Sequence, residues 1–74
     1  MRLFKRRAKA VDTLTPSERW ILCLIARGTS QRELARNMGV PDKDIKYATY
    51  KIRQKLHARN TMEAVAMVVK AGRI

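Results

Sequence analysis

One cysteine, one histidine, one tryptophan and one phenylalanine among 74 residues leave little material for catalysis. A lone cysteine, Cys23, forms neither an internal disulfide nor a cysteine metal cluster. It has no histidine beside it in sequence, so packing or partner contact is the simpler role. The lone histidine, His57, falls near a predicted helix end, where its charged form meets the C-terminal dipole favourably. No glycine-rich phosphate loop and no paired-carboxylate site is present. Asp42 and Asp44 stand at a predicted helix start, where two acids serve as cap and dipole partner before they serve as a metal site. The expectation is a protein that is not an enzyme and holds no metal or cofactor. The longest apolar run, residues 64–69, is too short to span a bilayer, and no signal-peptide pattern follows the basic N-terminus. A soluble, cytoplasmic protein with no membrane partner is expected.

Acidic residues are scarce as well: six, against 17 Lys and Arg, for a net charge of +11. A domain of this size with that imbalance calls for a polyanionic partner. Arg2, Lys5, Arg6, Arg7 and Lys9 crowd the first eleven positions with no acid among them. Residues 1–13 therefore read as a flexible basic arm, able to track phosphates or enter a minor groove. Residues 14–74 read as one small domain, near the lower size limit for a fold without metals or disulfides.

Short polar signals divide that domain into helices. Thr15-Pro16-Ser17-Glu18 has the form of a capping box with proline at the first helical position. Ser30-Gln31-Arg32-Glu33 repeats the chemistry 15 residues later, and Gly28 between them suits a left-handed helix end. The spacing predicts helices over residues 16–27 and 31–38. A third follows Pro41 and reaches His57, and a fourth starts at Asn60-Thr61-Met62-Glu63 and ends near Ala71-Gly72. Two short helices, a tight turn and a longer basic helix are the layout of a helix-turn-helix reader. The fold class is all-α: four short helices, the third acting as recognition helix.

At 100° per residue the helices acquire faces. Ile21, Leu22 and Ile25 share one side of the first with the stem of Glu18. Trp20 and Cys23 fall on the other side, and Leu24 lies near the border. Leu34, Ala35 and Met38 are the packing residues of the second. In the third, Ile45, Thr49, Ile52 and Leu56 recur as an inward stripe helped by Ala48. The opposite face gathers Lys43, Lys46, Tyr47, Tyr50, Lys51 and Gln54, with Arg53 on the flank, and suits phosphate and base-edge contacts. An ordinary solvated helix face mixes charge signs and rarely carries two tyrosines. In the fourth helix Met62, Val65, Val68 and Val69 are expected to face the core. That leaves Ala64, Met67 and Ala71 outward for a second copy.

Several segments together resemble the LuxR/GerE type of bacterial helix-turn-helix domain. They are Leu14-Thr15-Pro16-x-Glu18-Arg19, Leu24-Ile25-Ala26-x-Gly28, Glu33-Leu34-Ala35, Met38-Gly39-Val40, Ile45-Lys46, Ile52-x-x-Lys55-Leu56 and Arg59-Asn60-x-x-Glu63-Ala64-Val65. The likeness covers residues 14–74. It implies four helices, a third that lies in the major groove, and a fourth that often serves as a dimer contact. The family's base-facing positions match Lys46, Tyr47 and Tyr50. The chain departs from the pattern at Pro41, where Ser or Thr is usual, at Asp44 in place of a phosphate-contacting threonine, and at Ala48 in place of histidine. Trp20 and Cys23 replace surface charges. Asp42 is expected to take over the cap that Pro41 cannot supply. Most members carry a sensing or receiver domain ahead of this module, and the initiating methionine here favours a stand-alone regulator.

Two functions are in competition. The first is a sequence-specific regulator of transcription on double-stranded DNA, acting as a homodimer and associated with the nucleoid. Lys46, Tyr47 and Tyr50 would read bases. Lys43, Lys51, Arg53 and Gln54, with Thr29, Ser30 and Gln31 at the start of the second helix, would hold the backbone. The second is a protein-interaction module that pairs with a related regulator or RNA polymerase through Trp20, Cys23 and Leu24. It draws on Asp42 and Asp44, which weaken the phosphate-gripping edge.

Overall fold

In the computed structural model, residues 9–72 are described; Arg2, Lys5, Arg6 and Arg7 of the basic arm lie outside them. A short helical stretch at residues 9–12 leads into α1 (Pro16–Ala26), α2 (Gln31–Met38), α3 (Asp42–Leu56) and α4 (Thr61–Lys70). No strand occurs among the described residues.

Local chemistry accounts for the helix ends. Thr15 Oγ1 accepts from the Glu18 N–H at 3.1 Å while Glu18 Oε1 accepts from the Thr15 N–H at 2.8 Å, completing the box at α1. Ser30 Oγ accepts from the Glu33 N–H at 3.1 Å, and Asn60 Oδ1 from the Glu63 N–H at 2.8 Å. Gly39, at φ +69°, turns the chain so that the Val40 N–H reaches the Ala35 carbonyl at 3.0 Å and α3 can begin two residues on. The start of α3 differs from expectation. Pro41 is the capping residue and makes no side-chain cap bond, and Asp42 is already the first helical residue. Asp42 thus cannot take over the cap, because that role needs extended backbone one position earlier. Asp42 and Asp44 instead complement the positive end of the helix.

The core is drawn from every helix. Ile21 and Leu22 of α1 and Leu34 and Ala35 of α2 meet Ile45, Ile52 and Leu56 of α3, with Ala64, Val65, Met67 and Val68 closing from α4. α3 packs against the other three helices and is the element on which the rest is assembled.

Three expectations are corrected. The boundary at residue 13 moves back, because Val11 is 0% exposed and joins the core with Leu14, so residues 9–13 belong to the packed domain. Met38, expected to pack, is exposed. The fourth helix is turned by about a quarter from the expected phase: Ala64 and Met67 are buried and Ala71 is half-buried, whereas Met62 and Val69 stand out in solvent. A run apolar in every direction has no phase of its own. Packing decided it, with small Ala64 placed where the neighbouring helices approach and bulkier Met62 left outside.

Candidate nucleic-acid interface

The third helix has two sharply different sides. Ile45, Thr49, Ile52 and Leu56 are buried, and the Thr49 hydroxyl is satisfied within the helix by donating to the Lys46 carbonyl at 2.9 Å. On the other side Lys43, Lys46, Tyr47, Tyr50, Lys51 and Gln54 are exposed and Arg53 is half-buried. Tyr47 is 63% exposed and Tyr50 49%. Their rings lie 6.5 Å apart at an interplanar angle of 19°. The Lys51 ammonium sits 5.7 Å from the centre of the Tyr47 ring, and the Arg53 guanidinium 6.0 Å from that of Tyr50. These cation–π contacts hold phenol and cation together on the helix surface. The α3 side chains expected to read bases and to grip phosphates thus share one face.

The start of α2 lies ahead of this face in the chain. Ser30 is exposed and Thr29 and Gln31 are half-buried. The Ser30 oxygen caps α2, leaving its O–H as a donor for an acceptor such as a phosphate. Lys9 is exposed at the start of the described residues. Asp42 and Asp44 are exposed at the N-terminal edge of α3, so negative charge stands on that border of the cationic face.

One ion pair ties α3 to α1 beside the shared core. Lys55 Nζ donates to Glu18 Oε1 at 2.7 Å, linking the last turn of α3 to the first turn of α1. Burial pushes the Glu18 carboxyl up, but the Lys55 and Thr15 hydrogen bonds and the Lys55 charge outweigh it, and the group ends below its ordinary value of 4.5. Sequence reasoning missed this pair, although Glu18 and Lys55 both stand in the family segments. It also missed Arg59, whose side chain and backbone N–H both reach the Glu63 carboxylate at 3.1 Å, bracing the turn into α4.

Two other surfaces matter. Trp20 is 49% exposed on the outer side of α1, and Cys23 beside it is half-buried. On α4, Met62 (67% exposed), Ala66 and Val69 (50% exposed) recur at one helical face. Among the described residues no group of His, Cys, Asp and Glu is placed to hold a metal ion. No helix among them is long and apolar enough to cross a membrane.

A glycine-turned α2–α3 pair that presents a basic, exposed second helix over a buried core defines a helix-turn-helix DNA-binding domain. The family described as bacterial regulatory proteins, luxR family (GerE), matches residues 12–68, and the chain belongs to that family of DNA-binding transcription regulators. No curated protein and no solved structure matches the chain.

Proposed function

We propose that this domain regulates transcription by sequence-specific binding to double-stranded DNA, with α3 in the major groove. The observation that carries this reading is the cationic, tyrosine-bearing face of α3, exposed opposite the buried Ile45–Ile52 stripe. Lys46, Tyr47 and Tyr50 read base edges, as at the family's base-facing positions. Lys43, Lys51, Arg53, Gln54, Thr29, Ser30 and Gln31 position the helix on phosphates, and Lys9 with the basic residues before it adds affinity without sequence preference. The protein acts in the bacterial cytoplasm, on the nucleoid. A second copy pairs through α4, now by way of Met62, Ala66 and Val69 rather than Ala64 and Met67, and meets a half-site about one helical turn away.

Selection of bound duplexes from a random pool by the intact chain tests the reading. On the selected duplex Lys46→Ala is expected to weaken specific binding more than binding to random sequence. Equal loss on both removes Lys46 from base reading, and failure to enrich any sequence removes the whole assignment.

The exposed Trp20 and the acidic border at Asp42 and Asp44 favour a second reading, in which the domain docks on a related regulator or on RNA polymerase through Trp20 and Cys23. A gel shift with the purified chain alone separates the two. Nanomolar binding without a partner takes away the need for the docking role.

A further inference from the structure

The two tyrosines are the unusual part of the α3 face, because a surface built only to grip phosphates has no use for exposed apolar rings. Tyr47 and Tyr50 are the two aromatic residues of α3, 63% and 49% exposed, and their rings stand nearly parallel, 6.5 Å apart. The Lys51 and Arg53 cations approach the rings at 5.7 and 6.0 Å and hold them against the helix, so that the uncovered parts of the rings form a short apolar ledge.

The major groove offers such a ledge one methyl group, the C5 methyl of thymine; apart from the small C5–H of cytosine, the other groups along the base edges there are hydrogen-bond donors or acceptors. We propose that Tyr47 and Tyr50 are thymine-methyl contacts, so that the half-site chosen by this domain presents thymines to α3. The ring spacing of 6.5 Å is just under two base steps at about 3.4 Å each. Two thymines separated by one base pair therefore suit the pair of rings. Lys46, one helical turn before Tyr50 on the flank, supplies the donor for a neighbouring guanine, whose O6 and N7 both accept. The Arg53 Nε is enclosed and has no hydrogen-bond partner among the described residues, and its guanidinium lies 6.0 Å from the centre of the Tyr50 ring. The proposal rests on the DNA-binding reading above and adds to it the class of base that the aromatic pair recognises.

Deoxyuridine differs from thymidine in the methyl group alone, and that makes the test selective. The duplex selected from a random pool is resynthesised with deoxyuridine at each thymine in turn, and binding of the intact chain is measured. Each contacted position is expected to weaken binding about fourfold, the effect of burying one methyl group. Tyr47→Phe and Tyr50→Phe keep that sensitivity, whereas Tyr47→Ala and Tyr50→Ala each erase it at one position. Thermal melting of the four variants confirms that they fold, as exposed side chains allow. Indifference to deoxyuridine at every position overturns the proposal and leaves sequence-specific DNA binding standing. So does loss of selectivity in the Phe variants, which would assign the reading to the hydroxyls. A chain that enriches no duplex from the pool overturns both.

Discussion

Glu18 and Lys55 meet across 37 residues of chain, the Lys55 ammonium donating to the carboxylate at 2.7 Å. The same carboxylate oxygen accepts the Thr15 N–H at 2.8 Å, so one atom closes the start of α1 and anchors the end of α3. A residue outside the helix-turn-helix pair thus ties down α3, the helix proposed to read DNA. Because the carboxylate is nearly buried and Lys55 is two-thirds shielded, the pair is screened less than a surface ion pair.

Glu18→Gln keeps the shape and removes the charge. It is expected to lower stability by about 1.5 kcal/mol, the lower end of the range for a hydrogen bond to a charged group because Lys55 is partly exposed. Urea unfolding at neutral pH measures it, and an unchanged midpoint would show the pair to be idle.

The same pair sets a pH dependence. Glu18 has a lower carboxyl value folded than its ordinary 4.5, so the folded state binds its proton less readily. Its stabilisation is complete above that ordinary value and is lost as pH falls through the lower folded one. The stability gap between the native chain and Glu18→Gln should stay constant near neutrality and close on acidification. A gap that widens in acid contradicts the sign.

His57 ends α3 at φ +54°, a left-handed position held by a residue with a Cβ, and the Ala58 N–H reaches the Arg53 carbonyl at 2.9 Å across it. His57→Gly is expected to stabilise the domain by about 0.5–1 kcal/mol by relieving that backbone. Gly39→Ala should do the reverse by a similar amount, at φ +69° with nothing within 4 Å of an added Cβ, so strain alone is at issue. Thermal melts of the two variants should move in opposite directions.

The corrected phase of α4 separates association from folding. Val69→Glu, on the exposed face, should leave the melting temperature within a few degrees and weaken any dimer seen by analytical ultracentrifugation. Ala64→Glu should unfold the chain, because a charge would enter the fully buried position beside Val65 and Val68. The reverse pattern, with Val69→Glu unfolding the chain and Ala64→Glu tolerated, would restore the phase expected from sequence.

Counterion release gives a reading for the phosphate contacts. Lys43→Ala is expected to flatten the log–log salt dependence of duplex binding by about 0.9, one phosphate's share, without changing the preferred sequence. A changed preference would move Lys43 among the base readers.

How much of this could be read along the chain follows from how far each interaction reaches. Thr15, Ser30 and Asn60 cap helices through side-chain oxygens that find an N–H three residues on, so the starts of α1, α2 and α4 are legible within a residue or two. The face of α3 is equally legible, because polar and apolar residues separate cleanly about Ile45 and Ile52 and leave one way to bury the helix. The Tyr47–Tyr50 placement follows from that phase.

Where neighbours in sequence carry no contrast, packing between distant segments made the choice. The all-round apolar α4 took its phase from the surfaces of α1 and α3, which admit Ala64 and exclude Met62. Val11 joins the core at 0% exposed, a placement no local pattern encodes. The Glu18–Lys55 bond needed the fold to bring residues 37 apart within reach. Hydrogen bonds to near neighbours are encoded in short words of sequence, whereas the fit of one helix against three others exists only once all four are in place.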